Sequence, residues 1–364
     1  MDNNTYCVIM AGGQGSRFWP LSRVDKPKQF LDILGTGKTL LQQTFQRFSS
    51  ICPPENIYIV TNKSYKELVE KQLPDIKTEN ILLEPLRRNT GPCIAYANYR
   101  IKHQNSNANI IVAPSDHLIM NEQEFKRVVL QALEFTQNND ALLTLGIKPS
   151  RPETGYGYIQ ISQSGKTKME DIGITKVKTF TEKPEFDMAR IFFESGEFYW
   201  NSGIFVWSID AIMQAFDLYL PDVNELFQKG VSKYNTPGEA DFIEQTYAEC
   251  RNISIDYGII EKAKNIYVLC ADFGWSDLGT WGSLYENSPK DKNANAIISG
   301  DVFTYDTSLC IINLPKGKLA VTQGLNDYIV VESDGVLLIC RKDDEQKIRQ
   351  FVNDIKLVRG ENNV

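Results

Sequence analysis

The first two-thirds of the chain alternates short apolar runs with stretches of helical spacing, and that alternation constrains the fold more than any other feature. Tyr6-Cys7-Val8-Ile9-Met10, Ile57-Tyr58-Ile59-Val60, Ile81-Leu82-Leu83, Asn109-Ile110-Ile111-Val112-Ala113 and Ala141-Leu142-Leu143-Thr144-Leu145 read as buried strands. Leu41, Thr44, Phe45 and Phe48 fall at helical spacing, as does the stretch from Glu122 to Phe135. Strands alternating with helices predict an α/β fold with a Rossmann-like, mostly parallel sheet covered on both faces. Ligands of such sheets bind beyond the carboxyl ends of the strands. The loops after Met10, Leu83, Ala113 and Phe180 are therefore the places for a site.

The pattern changes near Pro289. Short β-like runs (Ile311-Ile312, Tyr328 to Val331, Val336 to Ile339) are punctuated by turn signals such as Pro315-Lys316-Gly317 and Ser333-Asp334-Gly335. Ile348, Phe351, Val352 and Ile355 then mark one amphipathic helix. This divides the chain into residues 1–288 and a small C-terminal β domain, 289–364, closed by that helix. The spacing leaves a solenoid turn and a hairpin both open for the β runs.

Ala11-Gly12-Gly13-Gln14-Gly15-Ser16-Arg17 directly follows the first strand. Glycines there let backbone N–H groups approach a phosphate. Two familiar phosphate loops fail: GxGxxG meets Phe18 at its third glycine, and the GxxxxGK[ST] that would end at Gly37-Lys38-Thr39 has Asp32 at its first. What remains is a glycine loop with Arg17, Arg23, Lys26 and Lys28 and a single acid, Asp25, between residues 17 and 28. Such a set fits a triphosphate cradle; a tight turn beside a solvated basic face is the alternative.

Two acids stand where a metal would be held. Asp116, in Ser115-Asp116-His117, follows the strand ending at Pro114, and Asp277 lies in Trp275-Ser276-Asp277-Leu278-Gly279. Two carboxylates plus phosphate oxygens suit Mg²⁺, although each acid also reads as a helix N-cap.

Composition removes whole classes. The net charge is −7, from 39 basic and 46 acidic residues, which argues against a broad nucleic-acid grip. Only His103 and His117 exist, too few for a three-His metal site. Seven widely spaced cysteines without a CxxC predict free thiols in a reducing cytoplasm. No apolar run approaches the ~18 residues of a membrane span, and the N-terminus lacks a secretory pattern.

Taken in order, these motifs resemble those of the sugar-1-phosphate nucleotidylyltransferases. The carriers are Val8 to Arg17, Trp19-Pro20-Leu21-Ser22-Arg23, Pro27-Lys28-Gln29-Phe30, Glu84-Pro85 with Arg88-Asn89-Thr90, and Pro114 to His117. They continue with Thr154 to Ile159, Phe180-Thr181-Glu182-Lys183-Pro184, Trp200-Asn201-Ser202-Gly203, Ser254-Ile255-Asp256-Tyr257 and Trp275 to Gly279. The Trp-Pro-Leu-Ser-Arg and Pro-Lys-Gln-Phe segments resemble the mannose-1-phosphate guanylyltransferase branch. Gly91-Pro92-Cys93 and Gly258-Ile259-Ile260 depart from the usual pattern without removing a charged group. No His follows position 117, which predicts that the isomerase domain fused to many relatives is absent.

The resemblance implies a nucleotidyltransferase (GT-A-like) fold with a short left-handed β-helix at the C-terminus. It implies the substrates GTP and mannose 1-phosphate, Mg²⁺ as cofactor, and a cytoplasmic enzyme with no nucleic-acid or membrane partner; a monomer and a homodimer stay open. By resemblance, Arg17 and Lys28 face the triphosphate, and Asp116 and Asp277 hold the metal. Lys183 grips the sugar phosphate. Gly12, Gly13, Gly15 and Ser115 border the nucleotide, with Glu84, Asn89 and Thr90 around the base. Gly157, Glu182 and Asn201 bind sugar hydroxyls. Another sugar-1-phosphate nucleotidylyltransferase and a non-catalytic nucleotide-sugar sensor remain as alternatives.

Overall fold

The computed structural model describes residues 2–161 and 173–360. The strands are β1 (Thr5–Met10), β2 (Ile57–Asn62), β3 (Ile81–Glu84), β4 (Asn109–Pro114), β5 (Leu118–Ile119), β6 (Leu142–Ile147), β7 (Tyr158–Ile161), β8 (Ile174–Thr181), β9 (Phe198–Ser208), β10 (Ile266–Cys270), β11 (Trp275–Ser276), β12 (Ala296–Ser299), β13 (Asp301–Tyr305), β14 (Ile311–Asn313), β15 (Leu319–Gln323), β16 (Tyr328–Ser333) and β17 (Val336–Arg341). The helices are α1 (Leu40–Ser49), α2 (Lys66–Gln72), α3 (Thr90–Gln104), α4 (Glu122–Asn138), α5 (Phe186–Ser195), α6 (Ile209–Tyr219), α7 (Pro221–Gln228), α8 (Glu239–Glu249), α9 (Trp281–Glu286) and α10 (Ile348–Arg359).

Two packed units interleave along the chain. The first comprises Met1–Gly12, Phe45–Ser115 and Ile119–Trp275; the second comprises Gly13–Thr44, Asp116–Leu118 and Ser276–Val364.

The first unit is built on a nine-stranded sheet in the order β3-β2-β1-β4-β9-β6-β10-β8-β7. β1, β2, β3 and β4 are mutually parallel, as the alternation predicts. β9 runs antiparallel to β4 and β6, and β8 antiparallel to β10 and β7. β10 pairs in parallel with β6, so β4, β6 and β10 all run the same way, and the antiparallel contacts arise because β9 inserts between β4 and β6 and β8 adds beyond β10. β1 is flanked by β2 and β4, and its carboxyl end is a topological switch point. There Ala11 N donates to Val60 O (2.7 Å) and Ser115 N to Met10 O (3.1 Å), fixing the loop exits against one another. β1 and β4 are buried on both faces, so both read as continuous apolar runs.

The second unit holds parallel ladders of short strands: β12, β14 and β16 in one, β13 and β15 in another, with β17 closing antiparallel on β16. The parallel ladders are solenoid-like, whereas β16 and β17 form a hairpin across Asp334-Gly335, so the β runs realise both readings left open by spacing. α10 spans Ile348–Arg359, and its Phe351, Val352 and Ile355 pack on a core of Phe18, Trp19, Leu278, Trp281 and Ile311.

Candidate active site

The glycine loop belongs to the second unit, and its shape follows from what packs beneath it. Gly15 has φ +57°, and a Cβ there would run into Lys28, contacting both its side chain and its backbone. A residue with a side chain fits neither the dihedral nor the space. Ser22 Oγ donates to Gly15 O (2.6 Å) and Gln29 Nε2 to Gly13 O (2.8 Å), so Ser22 and Gln29 brace the loop. Gly13 itself is exposed.

Lys28 is 4% exposed, a position an ammonium occupies only with partners. Its Nζ lies 2.9 Å from Asp116 Oδ2 and donates to Asp277 O at 2.5 Å. One buried cation thus draws together the two acids singled out from sequence. Burial alone would push the Asp116 carboxyl up. The charges of Lys28 and His117 and the Lys28 hydrogen bond outweigh it, and the carboxyl lies below its ordinary range. Asp277 Oδ1 accepts from Gly279 N (2.9 Å). Gly15, Arg17, Lys28, Asp116, Asp277 and Gly279 line one cavity of about 270 Å³. Arg17 is exposed at it.

The first unit carries a second cluster. Lys183 follows β8 at φ +47°, and its Nζ is hydrogen-bonded to Glu182 Oε1. Burial works against the ammonium, but Glu182 and the charge of Asp256 outweigh it, and its pKa is raised. Asn201, on β9, donates from Nδ2 to Asp256 Oδ1 (2.9 Å), and its Oδ1 accepts from Thr144 Oγ1 (2.8 Å). Its backbone N donates to Gly157 O (2.8 Å). Gly157, Glu182, Lys183 and Asn201 therefore form one constellation. Asp256 joins it. Burial, then the neighbouring Glu182 charge, pushes its carboxyl up. Its motif is visible in the sequence, but nothing in a lone Asp announces that Asn201 and Lys183 face it.

Glu84, at the end of β3, is 6% exposed. It accepts from Tyr247 OH (3.1 Å), and burial pushes its carboxyl up to about 7. A Cβ on Gly12 would lie 2.9 Å from Glu84 Oε2, so that glycine permits the carboxylate's approach to the start of the loop. Asn89 and Thr90 both give side-chain oxygens to backbone N–H groups, one next door and one far along the chain. Asn89 Oδ1 accepts from Thr90 N at the start of α3, and Thr90 Oγ1 accepts from Ile255 N, both at 2.9 Å. Arg88 donates to Tyr247 O and Ala248 O. This motif thus holds the Glu84–Tyr247 wall in place. Ser115 is buried at the end of β4.

Backbone donors, cations and paired acids around one cavity are the apparatus of phosphoryl and nucleotidyl transfer. Residues 6–294 match the nucleotidyl transferase family, and residues 300–355 match the MannoseP isomerase/GMP-like beta-helix domain. The chain is 36% identical over 359 residues to a mannose-1-phosphate guanylyltransferase of Escherichia coli, covering 96% of this chain and 75% of that protein. It is 35% identical to the alginate biosynthesis protein AlgA of Pseudomonas putida, over 96% of this chain and 71% of that one. A crystal structure from Thermus thermophilus, described as a mannose-1-phosphate geranyltransferase, superposes with a TM-score of 0.87 at 28% identity, over 97% of this chain and 99% of that one. The chain belongs to the nucleotidyl transferase family and, within it, to the mannose-1-phosphate guanylyltransferases.

Proposed function

We propose that this chain transfers guanylate from GTP to mannose 1-phosphate, giving GDP-mannose and pyrophosphate. The observation that carries the reading is the buried Lys28, bound at once to Asp116 and to the Asp277 segment in a cavity that also holds Arg17.

The sugar phosphate oxygen attacks the α-phosphorus of GTP, and the bond to the β-phosphate oxygen breaks with its electron pair leaving on pyrophosphate. A phosphate monoester has a second pKa of ~6 and is mostly dianionic at pH 7, so no general base is needed. The difficulty lies in bringing anions together and holding the charge that leaves. Lys183 takes the sugar phosphate as a point charge, with Glu182 and Asn201 on the hydroxyls. Arg17 offers a bidentate fork to the triphosphate. Glu84 suits guanine, whose N1–H and N2 amino group both donate.

The Asp116 and Asp277 carboxylates fit Mg²⁺. They are hard oxygen donors lining one cavity, and no cluster of three or more His, Cys, Asp or Glu side chains that could hold a metal exists among the described residues. Phosphate oxygens and water would complete the shell, which Mg²⁺ favours. When bound, the ion neutralises charge on the phosphates. The same reading makes the protein a cytoplasmic enzyme acting on small molecules, with no nucleic-acid or membrane partner. No described helix is long and apolar enough to cross a membrane, and all seven cysteines are unpaired.

Pyrophosphate release is the deciding assay, with Mg²⁺ and GTP, ATP or dTTP against mannose 1-phosphate, glucose 1-phosphate or no sugar. Release that requires mannose 1-phosphate and prefers GTP is expected. Another preferred pair moves the specificity. No release with any pair, from protein that still binds GDP-mannose, refutes catalysis in favour of sensing.

A further inference from the structure

α10 does more than close the second unit. Ile348 is 1% exposed and anchors the helix start in the Phe18–Trp281 core. The segment just before it is tied down as well, because Glu345 Oε2 accepts from Gly282 N (2.8 Å) at the beginning of α9, downstream of Asp277. Arg349 follows immediately. It sits beside the buried anchor on the helix face that also carries Val352, Asn353 and Lys356, and this face lines a neighbouring cavity with Trp19 and Arg23. Its own side chain lines the 270 Å³ cavity together with Arg17, Lys28, Asp116 and Asp277.

Without Arg349, the Arg17 and Lys28 cations of that cavity only match the Asp116 and Asp277 carboxylates, and Arg349 gives it a surplus of positive charge for an anion. Lys28 is committed to Asp116 and to the Asp277 carbonyl. Arg349 is exposed, and among the described residues it has no ion-pair or hydrogen-bond partner. Arg17 and Arg349 are therefore the two cavity cations clear of the carboxylates. The group that leaves in the reaction is a pyrophosphate bearing several negative charges, and planar guanidinium forks match its oxygens.

We propose that Arg349 is a phosphate-binding residue of the active site, gripping the β- and γ-phosphates of GTP and the pyrophosphate they become. This rests on the guanylyl-transfer reading. Arg349 donates hydrogen bonds and keeps its proton throughout; the bond that breaks is that between the α-phosphorus and the bridging oxygen. The β-helix-like segment then supplies part of the nucleotide site through its closing helix.

The test compares wild type with Arg349→Gln, Arg349→Lys and, as control, Arg359→Gln at the far end of the same helix. The readouts are KM for GTP, KM for mannose 1-phosphate, and calorimetric binding of inorganic pyrophosphate with Mg²⁺. Arg349→Gln is expected to raise the KM for GTP and the Kd for pyrophosphate about tenfold, the scale of one charge-assisted contact. The KM for mannose 1-phosphate should stay within about twofold. Arg349→Lys should be intermediate and Arg359→Gln unchanged. Pyrophosphate affinity equal to wild type in a folded Arg349→Gln overturns the assignment. Should that variant melt early, Arg349→Lys decides: unaltered affinity counts against the role, reduced affinity supports it. If wild type turns over no GTP yet Arg349→Gln still weakens pyrophosphate binding, guanylyl transfer fails while the phosphate role of Arg349 stands.

Discussion

Glu84 sets stability against recognition, and Glu84→Gln separates the two. In the folded protein this carboxyl ionises near pH 7 rather than near its ordinary 4.5, because burial outweighs the help of Tyr247 and Arg87. Between those values the folded protein holds a proton that the unfolded chain has released, so its stability falls as pH rises. The cost is full above pH 7. At ~1.4 kcal/mol per pH unit over that interval it comes to about 3 kcal/mol. Gln is close in shape and keeps an oxygen for Tyr247, but carries no charge. The variant is therefore expected to be more stable than wild type by about 3 kcal/mol at pH 8 and by less than about 1 kcal/mol at pH 5. Urea unfolding followed by circular dichroism at the two pH values measures the difference. Asp256, also pushed up, is common to both proteins and cancels. A stability difference that does not change with pH refutes the buried-carboxylate argument. In the same protein the GTP preference over ATP should shrink, since a single amide cannot accept from both guanine donors as a carboxylate does.

Other substitutions probe the remaining parts. Asp277→Ala should abolish pyrophosphate release while circular dichroism and melting stay near wild type; retained turnover would remove Asp277 from the metal pair. Lys183→Ala should raise the KM for mannose 1-phosphate by tenfold or more and leave that for GTP within about twofold, because one charge-assisted contact to the sugar phosphate is lost. A selective GTP defect in steady-state kinetics would contradict it. Gly15→Ala should cost roughly 1–3 kcal/mol and most of the activity, since the residue is at φ +57° and its Cβ would meet Lys28; a calorimetric melt at the wild-type temperature would show that the loop can give way.

The sequence made the buried strands legible because β1, β2 and β4 are apolar on both faces. It concealed β13 and β15, whose Phe303, Tyr305, Leu319 and Val321 point outward, leaving only small or half-buried residues inside. The antiparallel insertion of β9 was equally silent, since direction leaves no mark on an apolar run. In the site, motif residues were readable because their chemistry is unusual for their place: glycines after a strand, and acids before a turn. Asn89 and Thr90 show the limit, for a motif can be specific while its side chains serve the backbone. Arg349 shows the opposite limit. A basic residue at the start of an amphipathic helix looks like any solvated cation until the fold sets it beside Arg17.

The tie between Lys28 and Asp277 has a consequence for how the protein is made. The ammonium and its carbonyl acceptor are 249 residues apart in the chain. On a ribosome the glycine loop emerges together with its Ser22 and Gln29 braces, but Lys28 emerges without Asp116 or the Asp277 carbonyl, and its ammonium has no partner with which to be buried. Residues 13–44 must wait, unfolded or sheltered, until the stretch beginning at Ser276 has been translated. Closing so long a loop is entropically slow. Nascent chains should thus acquire a protease-resistant sheet well before they acquire turnover. A premature stop anywhere before α10 should yield polypeptide with folded parts and no catalysis, rather than a weakened enzyme.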